Sequence, residues 1–108
     1  MSADFTMRQG DTKPLLITTL TNPDGSAVNL TGTTISFTMK DQKTNSVSAG
    51  GACTIVSAQT GQIQYAWSPL DTALAGWYNG SFRVTFVDGT VETFPNAEYL
   101  TIEVTKRL

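Results

Sequence analysis

The chain has 108 residues, 40 % hydrophobic and 15 % charged, enough for one domain that buries roughly two thirds of the surface its unfolded form exposes. Net charge is -2, and the bases Arg8, Lys13, Lys40, Lys43, Arg83, Lys106 and Arg107 are scattered, so no stripe exists to neutralise phosphates and nucleic acid is not expected as a partner. Histidine is absent and cysteine occurs once, which removes the commonest general base, the commonest transition-metal ligand and an intramolecular disulfide together.

The opening residues Met1 to Arg8 contain no apolar signal core, and no apolar run approaches the ~20 residues of a membrane span. A soluble protein made in a cytoplasm, with no membrane partner, is the expectation. Phe5 and Met7 alternate with Thr6 and Arg8 in a first strand that Gly10-Asp11 ends. A second strand is predicted from about Pro14 to Thr21. Leu16, Thr18 and Leu20 share one face, with Leu15, Ile17 and Thr19 on the other, so it should be the most enclosed strand of its sheet. Asn22-Pro23-Asp24-Gly25 is a tight turn, and Val28 and Leu30 lead into Thr31-Gly32. From Thr33 to Lys40 alternation is clean, with Ile35, Phe37 and Met39 inward.

Asp41 to Gly51, rich in Ser, Asn and Gly, reads as a mobile loop. Cys53 to Ser57 is a short strand in which Cys53 is a small buried apolar residue. Gln62 to Trp67 is another, with Ile63, Tyr65 and Trp67 inward. Ser68-Pro69-Leu70-Asp71 has the signature of a helix start, leaving room for about one and a half turns before Gly76. Tyr78, Gly80, Phe82, Val84 and Phe86 then alternate with Trp77, Asn79, Ser81, Arg83 and Thr85. Asp88-Gly89 marks a hairpin returning through Val91 and Phe94. Pro95-Asn96 breaks that strand, and Leu100, Ile102 and Val104 form the last.

Period-two alternation interrupted by turns predicts an all-β chain. The expectation is an immunoglobulin-like antiparallel β-sandwich of seven to nine strands with one short helical turn, a single domain over 1–108. No catalytic residues, metal site or cofactor are expected. Asp11, Asp24, Asp41, Asp71 and Asp88 lack the alternate-position spacing of a calcium loop, and Gly50-Gly51 is not followed by the helix a phosphate loop needs. Asn29-Leu30-Thr31 and Asn79-Gly80-Ser81 match the glycosylation pattern without the secretory context that would use it. Tyr65 and Trp67 are core by alternation. Trp77 is the one aromatic expected to face outward, a possible surface contact to a glycan or another partner.

Asp71, Ala73, Gly76 and Tyr78 resemble the tyrosine corner of immunoglobulin-like sandwiches, in which a hydroxyl bonds back to upstream backbone. In that resemblance Asp71, Gly76 and Tyr78 form a structural corner, with Trp67 packed beside Tyr78 and Gly80 where antibody domains carry cysteine. A wider resemblance runs through Gln9-Gly10-Asp11-Thr12, Asp24-Gly25 and Leu30-Thr31-Gly32. It continues in Gly61-x-Ile63-x-Tyr65-x-Trp67, Asp71-Thr72, Gly76-x-Tyr78, Asp88-Gly89-Thr90 and Phe94-Pro95. This order is similar to the Ig-like domain of tailed-bacteriophage virion proteins, and most like the N-terminal domain of baseplate upper proteins. The resemblance implies a non-enzymatic tail or baseplate module made in the bacterial host cytoplasm. Its partners would be other virion proteins, with assembly as a homo-oligomer or symmetric array. The end at Leu108 admits a free-standing capsid decoration or head-fibre protein of the same fold. A carbohydrate-binding module is the alternative from another class.

Overall fold

The computed structural model describes residues 3–13, 15–95 and 99–107; the expectations for Pro14 and Asn96 lie outside them. Among the described residues nine strands form two sheets: β1 Phe5–Arg8, β2 Leu16–Thr19, β3 Thr34–Asp41, β4 Val47–Ala52, β5 Thr54–Ser57, β6 Gln62–Tyr65, β7 Gly76–Thr85, β8 Val91–Phe94 and β9 Leu100–Thr105. The larger sheet has the order β1-β9-β7-β3-β4, with β8 also on β7, and the smaller has the order β2-β6-β5. All pairings are antiparallel except β1 with β9. β8 and β9 lie end to end along β7, β8 opposite Phe82–Thr85 and β9 opposite Gly76–Gly80. The Phe94-Pro95 peptide after β8 is cis.

Alternation places Ile35, Phe37, Met39, Tyr78, Phe82, Val84, Ile102 and Val104 inward from the larger sheet, opposite Leu16, Ile63 and Tyr65 from the smaller. Phe37 joins the layers: its ring centroid lies 4.8 Å from Tyr65, 5.1 Å from Phe82 and 5.7 Å from Trp67. Gly80 admits that ring. A Cβ there would lie 2.9 Å from both Phe37 Cε1 and Ile102 Cδ1.

Three expectations are corrected. Residues 68–75 form turns and not a helical turn, and no helix occurs among the described residues. Their backbone bonds span three residues, Asp71 N to Ser68 O and Ala73 N to Leu70 O. Thr72, fully buried, donates its hydroxyl to Asp11 O at 2.9 Å. Anchoring Thr72 to the opening segment competes with continuing a helix whose nucleus is costly. Second, the polar stretch 41–51 is mostly strand: β3 runs on to Asp41, and β4 pairs Ala49 to Ala52 with Met39 to Ser36. Gly50 sits in that ladder where Phe37 O approaches within 3.1 Å of where a Cβ would be, and a Cβ on Gly51 would be in ordinary contact with the Tyr65 ring at 3.5 Å. Third, β2 is an edge strand, with Ile17 52 % exposed; the central position belongs to β6. Cys53 is the crossing between sheets, its N–H bonded to Ile35 O at 2.9 Å.

Candidate functional site: the β6–β7 connection

The chain between β6 and β7 gathers the polar side chains that sequence reasoning singles out, and several that it does not. Tyr78, 1 % exposed, donates its hydroxyl to Leu74 O at 2.6 Å. Between them Gly76 has φ 155°, and a Cβ there would lie 3.9 Å from the Tyr78 ring. Asp71 points elsewhere: its Oδ2 accepts from the Tyr65 hydroxyl at 2.7 Å and from Ser68 N–H at 2.9 Å. The carboxylate thus satisfies a buried phenol and the N–H that opens the turn. Burial foremost, then the bond to Asp71 and its negative charge, push the Tyr65 phenol above its ordinary range.

Gln9 to Asp11 close the other side. Gly10 N–H donates to Thr72 O at 2.9 Å and Gln9 Nε2 to Ala73 O at 2.8 Å. The roles of Thr72 and Gln9 had no signal in local pattern, because their partners are 61 and 64 residues away. Trp67 packs against Phe5, Phe37 and Tyr65, and its buried Nε1 has no hydrogen-bond partner among the described residues.

These groups are occupied in holding the fold. Beside Ser68, the connection turns two large apolar side chains to solvent: Leu70 is 83 % exposed and Leu74 70 %, and with Val47, 65 % exposed, they border a cleft of about 270 Å³ that reaches Tyr78 and is also lined by Asp41, Ser46 and Ser48. Trp77 lies opposite Glu103 in the β7–β9 register, is half-buried, and accepts Gln42 N–H at its carbonyl. Cys53, half-buried, has its thiol pushed up to about 12 by burial, the opposite of an activated nucleophile. Asp24 and Asp88 are held below the usual carboxylate range by bonds from Ser26 and Thr90 within their turns. No group of three or more metal-ligating side chains occurs among the described residues.

No curated protein matches the chain. Among solved structures, CopC from Methylosinus trichosporium OB3b is similar, with a TM-score of 0.58 and 16 % identity over 99 % of this chain and 88 % of that one. At that identity the likeness shows the fold alone. The BppU N-terminal domain family matches residues 1–104, a span that takes in the Gln9 to Asp11 anchor, the whole β6–β7 connection and β9 as far as Val104, and the chain belongs to that family.

Proposed function

We propose that the protein is a non-enzymatic structural module of a phage tail baseplate, an Ig-like adaptor that joins neighbouring virion proteins. Membership of the BppU N-terminal domain family over residues 1–104 carries this reading. The β6–β7 connection supports it, because Asp71 and Thr72 bond internally while Leu70 and Leu74 face solvent. Leu70, Leu74 and Val47 form the kind of apolar surface that a neighbouring protein covers, and Trp77 on the outer face of β7 is a further contact. Repetition in a symmetric particle implies several copies per virion.

The test is to purify particles, identify the protein by mass spectrometry and locate it by immunogold electron microscopy. Label at the tail tip is expected. Label on the head would replace the baseplate with capsid decoration, and absence from every particle fraction would end the virion reading. In a second arm, Leu70→Asp with Leu74→Asp should abolish incorporation while leaving thermal unfolding within a few degrees of the wild type, since both side chains are exposed.

A further inference from the structure

A second concavity lies on the outer face of the larger sheet, away from the β6–β7 connection. Its floor comes from β3 and β7, where Thr38 stands opposite Ser81 and Lys40 opposite Asn79. Arg83 lies farther along β7, opposite Ser36 and so four residues from Lys40 in the β3 register, which spaces the two cations roughly 13 Å apart along the strands. Tyr99, 62 % exposed, contributes an aromatic ring to the rim. The groove measures about 370 Å³, at the lower end of the ~300–1,000 Å³ range of small-molecule sites. Lys40 and Arg83 are both exposed. Gln42 Nε2 donates to Asn79 Oδ1 at 3.0 Å and holds that amide in place.

We propose that this groove binds an anionic oligosaccharide, with Arg83 and Lys40 pairing to acidic substituents and Tyr99 stacking on a sugar ring. Hydroxyl and amide side chains between the cations supply the hydrogen bonds that sugar hydroxyls need. A peptide is the weaker fit. β3 lies between β4 and β7, and β7 lies between β3 and the β8–β9 pair, so the floor offers no free backbone ladder for strand addition. Recognition here passes through side chains, and the spacing of the charges suits a ligand that carries acidic groups at intervals. This inference does not depend on the baseplate reading.

The experiment is titration of the isotopically labelled protein at low and moderate salt, followed by amide NMR shifts. Trigalacturonic acid serves as the carboxylate probe and a mannose-6-phosphate oligosaccharide as the phosphate probe, with galactotriose and hexaglutamate as controls. Saturable shifts centred on Thr38, Asn79, Ser81 and Arg83 with one or both acidic sugars are expected, and which of them binds identifies the acidic group. Affinity should fall at least tenfold in Arg83→Gln and in Tyr99→Ala, weaken with salt, and stay unchanged in Lys13→Gln, an exposed cation that does not line the groove. If Arg83→Gln fails to fold, Lys40→Gln serves in its place. The proposal is overturned if neither acidic sugar binds at millimolar concentration, if galactotriose or hexaglutamate binds as tightly, or if Arg83→Gln stays within twofold of the wild type.

Discussion

Tyr78 and Leu74 are joined by a 2.6 Å hydrogen bond from the phenol hydroxyl to the backbone carbonyl, made at the point where the β6–β7 turns become the central strand of the larger sheet. The carbonyl would otherwise have to be solvated beside a ring that is itself 1 % exposed. Tyr78→Phe should therefore destabilise the protein by about 1 to 3 kcal/mol, read from denaturant unfolding. A change below a few tenths of a kcal/mol would mean that the bond does not fasten the corner.

Asp71 bridges Tyr65 and Ser68 N–H, so the effects of removing Tyr65 and Asp71 should overlap. In a double-mutant cycle, Tyr65→Phe and Asp71→Ala are expected to couple by roughly 0.5 to 3 kcal/mol. Additive losses would show that Asp71 acts only through Ser68.

Two glycines separate backbone conformation from crowding. Gly25 and Gly61 both have positive φ, 89° and 74°, yet a Cβ on Gly25 meets nothing within 4 Å while one on Gly61 would lie 2.6 Å from Leu20 O. Gly25→Ala should cost about 1 to 2 kcal/mol for the left-handed conformation alone. Gly61→Ala should cost at least about 2 kcal/mol more, because backbone must move. Equal melting temperatures for the two variants would contradict this.

Alkaline stability should depend on Tyr65. Its folded pKa lies above the ordinary 10.0, by burial first and by Asp71 second, so the folded protein holds that proton more tightly than the unfolded chain does. The contribution is complete below about pH 10 and is lost as pH rises from there towards the folded pKa. Tyr78 shifts in the same direction through burial. Unfolding followed from pH 8 to 11 should show stability falling above about pH 10, and falling less steeply in Tyr65→Phe. Identical slopes would assign the alkaline loss to other groups.

The strands that carry clean alternation were legible because burial of one sheet face imposes a period of two on the sequence itself. β3, β7 and β9 appear in the structure with the inward residues that alternation assigned to them, and the turns at Asp24-Gly25 and Asp88-Gly89 are bonded as their side chains dictate. β4 was not legible. At Gly50 the strand answers to the Phe37 carbonyl, which would lie 3.1 Å from a Cβ there, a close approach that local composition reads as a loop.

The connection after Tyr65 divides in the same way. The Ser68 to Asp71 pattern is a genuine local device, since Asp71 does return to Ser68 N–H. Whether a helix follows was decided by Thr72, which is drawn into the interior to meet Asp11. The outer-face groove likewise needs β3 and β7 in register before Lys40, Asn79, Ser81 and Arg83 come together. Sequence alone determined which residues face inward on the cleanly alternating strands and where the Asp24-Gly25 and Asp88-Gly89 turns fall, because those depend on near neighbours. Tertiary structure decided which strand is central, where helix gives way to turns and which polar side chains meet, because hydrogen-bond partners 60 or more residues apart leave no periodic trace.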